Sequence, residues 1–257
     1  MNRALKSFFA AAFLLVLTLP LWGQAKVYTK RVLLEDFPTK TTKVVLAGQS
    51  FLEMSLREEI AARWRISPYE FCTAEDYEKQ KTNNSFYFLR LVSEDGIAFL
   101  ELTKGGKPDE QDNLKKAVDV CRIPISASDV MSGEEIVFIG AFIDIIQKFT
   151  EESIISDRVG YIGLSSYNRR SLKDMTAWLD GERTVELYQT GINGDLIGVC
   201  IAPTEIGLRS KCYKMLVSAT TNELFYYSEQ RYRGPADRAF TEKEAKSFEH
   251  RNAVVHR

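Results

Sequence analysis

Phe86-Tyr87-Phe88-Leu89-Arg90-Leu91-Val92-Ser93-Glu94-Asp95-Gly96-Ile97-Ala98-Phe99-Leu100-Glu101-Leu102-Thr103 is the stretch on which the fold turns. Aromatic and branched residues crowd both ends. The segment therefore reads as strands over 86–92 and 97–103 joined through Glu94-Asp95-Gly96, whose Asp-Gly supplies the positive φ that a tight hairpin needs. Alternation in the second strand points Ala98, Leu100 and Leu102 to the core and Glu101 to the other face. Phe86-Tyr87-Phe88, like the later Phe225-Tyr226-Tyr227, sets rings on both faces of its strand. That pattern fits a sheet covered by helices on both sides, as an α/β fold requires. The competing reading is an outer aromatic face that grips a peptide, a glycan or a partner domain.

Upstream, residues 43–46 are apolar and β-branched and read as a strand. Ser50-Phe51-Leu52-Glu53 forms a capping box, in which the Ser hydroxyl and the Glu carboxylate satisfy orphan helix amides. Leu52, Leu56, Ile60 and Trp64 then recur every four residues as one face of a helix that ends near Arg65. Ile66-Ser67-Pro68-Tyr69 reads as a short strand, and Thr73-Ala74-Glu75-Asp76 starts a more polar helix to about Lys81. Downstream, residues 104–112 hold two Gly, one Pro and several charges and read as a loop. A helix over about 110–119 and a strand over 120–123 follow. Ser132-Gly133-Glu134-Glu135 opens an amphipathic helix with Ile139, Phe142, Ile143, Ile146 and Phe149 inward.

The second half repeats this plan loosely. A strand is expected over 161–164, a helix over 171–179 ended by Gly181, strands over 184–188, 196–201, 213–217 and 224–227, and a last helix opened by Thr241-Glu242-Lys243-Glu244. Ile66-Ser67-Pro68-Tyr69 beside Leu164-Ser165-Ser166-Tyr167 hints at a duplicated unit of strand, helix, strand, helix and hairpin. The expected fold is α/β, or a mixed α+β variant, with a mixed sheet and helices on both faces. Its organisation is a leader over 1–25, a first unit over 26–125 and a second over 126–257, packed as one domain or as two.

One stretch carries a family likeness. Leu216-Val217-Ser218-Ala219-Thr220-Thr221-Asn222-Glu223-Leu224 resembles the hairpin D-x-x-T-G-E-L of periplasmic α/β domains of envelope-assembly proteins. Examples are the periplasmic part of the curli secretion channel and the N-terminal domain of the Tol-system propeller protein. Asn222 stands where those families place Gly, and Asn tolerates the left-handed conformation better than other side chains. Ser218 replaces their usual Asp. The resemblance covers about a dozen residues, implies a fold and a cellular setting, and transfers no functional residue.

The setting is also written at the N-terminus. Arg3 and Lys6 precede an unbroken apolar stretch over 8–17, and Gly23-Gln24-Ala25 places small residues at the positions a signal peptidase reads. Cleavage before Lys26 is expected. Pro20 ends the apolar run short of the ~20 residues that span a bilayer, which argues against an uncleaved anchor. No Cys follows at the cleavage point, so a lipid anchor is not expected. The later stretch 136–149 is interrupted by Asp144, Gln147 and Lys148.

Removing Arg3 and Lys6 leaves 32 basic residues against 35 acidic ones, a near-neutral balance without the footprint of a nucleic-acid binder. Arg169-Arg170 and the group Arg231, Arg233 and Arg238 are flanked by acids or polar residues, as a solvated surface would be. With 45% apolar residues the chain can bury a full core, so disulfides are optional. Cys72, Cys121, Cys200 and Cys212 form no C-x-x-C and have no neighbouring His, which argues against zinc and against a thioredoxin-like pair. Cys200 lies near the end of one predicted strand and Cys212 near the start of the next, placed symmetrically about Ile206. A cross-strand bridge is one outcome of that pairing, and buried free thiols are the other.

The common catalytic classes lack their residues. His250 and His256, the only histidines, lie at the C-terminal end, so a Ser-His-Asp or Cys-His site in the core is not expected. G-x-S-x-G and S-x-x-K are absent, and Gly105-Gly106-Lys107 runs into Pro108 where a phosphate loop needs Ser or Thr. Asp109, Glu110 and Asp112 lack the glycine and bidentate Glu of an EF-hand loop. No cofactor and no metal is expected. The candidate binding residues are Tyr69, Tyr167, Arg169, Arg170 and Tyr232, polar groups that follow strands or sit in predicted loops. The expected function is non-catalytic binding or assembly in the periplasm or at the cell surface, toward an envelope protein or a glycan. The alternative is an exported carboxylate-dependent hydrolase, acting on glycans.

Overall fold

Thr41–Val45 (β1) organises the first sheet, because strands join it in parallel on both sides. In the computed structural model, which describes residues 34–48, 50–106, 118–128, 135–155, 177–178, 196–241 and 244, β1 lies between Tyr69–Cys72 (β2) and Phe86–Glu94 (β3). Ile97–Lys104 (β4) and Val118–Ala127 (β5) continue the sheet antiparallel, giving the order β2-β1-β3-β4-β5. A second sheet runs in chain order through Ala177–Trp178 (β6), Leu196–Ile201 (β7), Lys211–Ser218 (β8) and Leu224–Arg231 (β9). With helices Phe51–Arg63 (α1), Ala74–Gln80 (α2) and Ile139–Ile155 (α3), the chain has a mixed α/β fold.

The helices take opposite faces for a topological reason. The step from β1 to β2 moves one way along the sheet, and the step from β2 to β3 moves back past β1. Parallel crossovers are right-handed, so reversing the direction changes the face that the connecting helix covers. The packing agrees: Leu52, Leu56 and Ile60 of α1 share a core with Val44, whereas Tyr77 of α2 packs with Val45 and Phe88. α1 starts at the expected capping box of Ser50 with Glu53, and α2 starts where expected, through a second box of Thr73 with Asp76. At the other end of α1, Gln147 of α3 accepts from the Arg65 amide at 2.8 Å and donates to the Arg63 carbonyl at 3.1 Å. Ile139, Phe142, Ile143, Ile146 and Phe149 of α3 are all buried, as their spacing predicts.

Asp95 and Gly96, at φ 50° and 79°, turn the β3–β4 hairpin. Gly96 is needed twice over, since a Cβ there would stand 2.8 Å from Pro203 Cβ. The register pairs Leu91 with Leu100 and Arg90 with Glu101. Glu101 does lie on the face opposite Leu100, but that face is closed too. Glu101 is 6% exposed and meets Arg90 at 2.7 Å, and Arg90 lies over the Tyr77 ring of α2. Farther along, Phe99 stacks edge-on against Tyr213 of the second sheet at 5.6 Å. Val199, Met215 and Tyr227 join Leu100 and Phe142 in one apolar core, so the two sheets share it. In β9, Val217 pairs with Leu224 and Leu216 with Tyr226, which leaves Phe225 as a bulge and turns Phe225 and Tyr226 to one side.

Several boundaries differ from expectation. β2 starts at Tyr69 instead of Ile66, and β5 starts at Val118, so Val118 and Asp119 extend a strand where a helix end is predicted. Ala177–Trp178 pairs with Leu196 and Ile197 as a strand inside the predicted helix 171–179; sheet pairing overrides the local helical pattern there. The leader 1–25, the cleavage point, residues 132–134 of the third predicted capping box, the strands 161–164 and 184–188, and the segment 164–167 that matches 66–69 lie outside the described residues. No helix among the described residues is long and apolar enough to cross a membrane.

Asp36 ties the segment before β1 to the sheet. Its carboxylate accepts from Tyr87 Oη at 2.6 Å and Lys104 Nζ at 2.8 Å, and Lys40 Nζ lies 2.6 Å away. Burial pushes the carboxyl up, but the hydrogen bonds from Lys104, Lys40 and Tyr87 and the charge of Lys104 outweigh it and hold the pKa at about 2. A depressed folded-state pKa stabilises above the unfolded value of 3.8, and that contribution fades as pH falls toward 2. Because the side chain is 35% exposed, solvent screening limits the effect to about 1 kcal/mol. Denaturant melts of Asp36→Asn against the native chain should therefore differ by about that much at pH 7 and converge near pH 2. A constant difference across this window would remove Asp36 from the acid response.

Candidate functional site

Residues 202–210 connect β7 to β8 and form a rigid loop. Ser210 organises it: its hydroxyl accepts from the Gly207 amide at 2.7 Å and donates to the Glu205 carbonyl at 3.3 Å. The loop is anchored at both feet, where Tyr232 N donates to the Ser210 carbonyl at 2.8 Å and Arg238 Nη2 to the Ala202 carbonyl at 3.4 Å. Pro203 packs on the turn of the first hairpin at Gly96. From this frame Ile206 and Leu208 project outward, 54% and 90% exposed. Single exposed apolar residues are ordinary, but two on one anchored loop make a surface suited to a partner.

Beneath the loop lie Cys200 and Cys212. The register sets Ile201 opposite Tyr213 and Cys200 opposite Lys214, two residues away from pairing about Ile206. Cys212 is thus the diagonal neighbour of Cys200. The sulfurs nevertheless approach to 3.3 Å, both as thiols, in a pocket shared with Ala202 and Tyr232. Lys214 is fully buried beside them, and its ammonium donates to the Ala239 carbonyl at 2.6 Å and to the Glu244 carboxylate at 3.0 Å. Thr241 and Glu244 cap each other reciprocally, and the rest of the predicted last helix lies outside the described residues. Cys212 Sγ donates to the Asp237 carbonyl at 3.5 Å, which also accepts from Gln230 Nε2 at 3.0 Å.

The hydrogen bond from Cys200 holds the Cys212 thiol below its ordinary range despite burial, helped by Lys214, Gln230 and Arg238. The same bond, with burial, holds Cys200 above it. Cys121 is a useful contrast, since burial alone pushes its thiol up to about 12.

A second polar locus lies where the β8–β9 turn meets α3. Ser218 Oγ accepts from the Thr220 and Thr221 amides at 3.3 and 3.1 Å and so caps the turn. Asn222 takes φ 56° and donates through Nδ2 to Asp144 at 2.7 Å. Asp144 also pairs with Arg63 at 2.9 Å, and Lys148 pairs with Glu223 at 3.1 Å. A cleft of about 280 Å³ lies among Asp144, Lys148, Thr221 and Glu223. Its carboxylates are already paired with cations.

Of the residues selected from sequence, Tyr69 and Tyr232 are described. Tyr69 is half-buried in β2 with its ring edge-on to Phe71 at 5.7 Å, and Tyr232 is 4% exposed with its hydroxyl accepting from Arg238 Nε at 3.4 Å. Tyr167, Arg169 and Arg170 lie outside the described residues. Among the described residues there is no group of three or more His, Cys, Asp or Glu that would hold a metal ion. Sequence reasoning passed over Ile206, Leu208 and Lys214; the apolar pair around Gly207 was the available signal. Comparison of the chain with family models, curated proteins and solved structures finds no match.

Proposed function

We propose that this chain is exported and works as a non-catalytic binding or assembly component of the bacterial envelope, engaging a protein partner through the loop 202–210. The observation that carries the reading is the pair Ile206 and Leu208, held out to solvent on a loop fixed by Ser210, Tyr232 and Arg238. The leader-like residues 1–25 and the likeness of 216–224 to hairpins of envelope-assembly domains supply the setting. The alternative, a carboxylate hydrolase, needs two acids free to exchange protons across a cleft. Asp36, Glu101, Asp144 and Glu244 instead each hold a cation of the fold.

A photo-reactive residue at position 208, introduced in the producing cell, should give one discrete cross-linked product in the envelope fraction. Ile206→Asp should reduce its yield about tenfold, since burying one such side chain is worth roughly 1.5–3 kcal/mol. Stability should move by under about 0.5 kcal/mol, because the side chain is exposed. A diffuse product, or one that Ile206→Asp leaves untouched, rejects this loop as the binding surface.

A further inference from the structure

From the geometry beneath the loop we infer that Cys200 and Cys212 are a reversible dithiol–disulfide site, closed by exchange with a partner disulfide and sensed by the segment 235–241. This inference does not depend on the binding reading. It stands on three observations. The sulfurs are 3.3 Å apart without being bonded, so little movement separates the two states. The hydrogen bond from Cys200, helped by the nearby Lys214 and Arg238, favours at Cys212 the thiolate from which such exchange starts. The third observation is the diagonal register. Diagonal neighbours on antiparallel strands have Cα atoms about 7–8 Å apart, beyond the usual span of a relaxed disulfide, so closure must draw the mouth of the hairpin together. A bond closed under such strain is more readily reduced than a structural one.

The chemistry balances with one partner disulfide. Cys200 is the half-buried member and Cys212 the fully covered one, so Cys200 meets the oxidant first. Ionisation falls on Cys212, the proton of Cys200 passes to it along the shared hydrogen bond, and the Cys200 Sγ so freed attacks one sulfur of the partner; that S–S bond breaks and the first thiolate leaves. Cys212 Sγ then attacks Cys200 Sγ, the mixed disulfide breaks and the second thiolate leaves. The two protons lost by the cysteines end on the departing thiolates, and two electrons pass to the partner, which becomes two thiols.

The consequence reaches beyond the sulfurs. Oxidised Cys212 has no proton to donate, so its contact with the Asp237 carbonyl is lost, and among the described residues Gln230 Nε2 is left to hold that group. The segment that also covers Lys214 through Ala239 is thereby loosened. Reduction restores it.

The full chain, equilibrated in mixtures of oxidised and reduced glutathione and then quenched by alkylation, should pass through one transition to a Cys200–Cys212 cross-linked peptide. The cross-link should disappear again in excess reduced glutathione without denaturant. Hydrogen exchange over 235–241 should be faster in the oxidised form. Cys212→Ser should accumulate a glutathione adduct on Cys200, and Cys200→Ser at least about tenfold less on Cys212, because access differs. No cross-link at any ratio, a cross-link reducible only after unfolding, or identical exchange in both forms would overturn the proposal.

Discussion

Trp64→Ala is expected to lower the unfolding free energy by about 4 kcal/mol, the range for deleting a buried ring. Trp64 is 2% exposed at the C-terminal end of α1, and its ring stands 6.4 Å from that of Phe37. Its indole Nε1 donates to Ser67 Oγ at 3.0 Å, and Ser67 Oγ shares a hydrogen bond with Thr42 Oγ1 at 2.8 Å. One side chain thus joins α1, the entry to β2 and the first strand of the sheet. Trp64→Phe separates the contributions in part: it keeps a buried six-membered ring but loses the N–H and three ring atoms, so its cost should be about 2 kcal/mol. The measurement is a pair of urea melts, with the slope unchanged and only the midpoint moved. Equal losses in the two variants would mean that the hydrogen bond, and not the packing, holds this corner.

Whatever is encoded by a few neighbouring residues was legible in the sequence. The capping box at Ser50 is closed by a group three residues on and forms, and Thr73 starts its helix as its residue type predicts. Asp95-Gly96 fixes its turn through backbone preference alone, and Asn222 takes the left-handed conformation for the same reason. The four-residue spacing from Leu52 to Trp64 sends each side chain to one face, as the buried Leu56 and Ile60 confirm.

What depends on distant partners was not legible. Nothing near Thr41–Val45 says that strands will join it on both sides, since that order follows from how β2 and β3 find it. Ala177–Trp178 became strand because Leu196 and Ile197 were there to pair with. The β7–β8 register sets Cys200 opposite Lys214, two residues from the pairing about Ile206, and no turn signal near Ile206 fixes it in advance. The candidate site suffers most from this limit. An apolar residue destined for solvent, such as Leu208, has the same letters as one destined for the core, and only the packed structure separates them.

Leu100→Ala should cost about 3 kcal/mol, within the roughly 2–5 typical of buried leucines, since Leu100 is 1% exposed and pairs with Leu91 in the shared core. Alternation alone assigns Glu101→Ala a small effect. The structure changes that expectation to about 2 kcal/mol. Glu101 is buried against Arg90, and truncating it strands a guanidinium between the sheet and the Tyr77 ring. Removing one partner of a fully buried pair costs roughly 3–5 kcal/mol. Arg90 is 30% exposed and can turn partly to water, which brings the figure down. The double variant Arg90→Ala, Glu101→Ala decides the cause. If the cost of Glu101→Ala is the stranded charge, the double variant should be less destabilised than the sum of the two single ones by about 1 kcal/mol or more. Additive losses would mean that Glu101 contributes through its own packing, and that the charge pair on this face of β4 is incidental to stability.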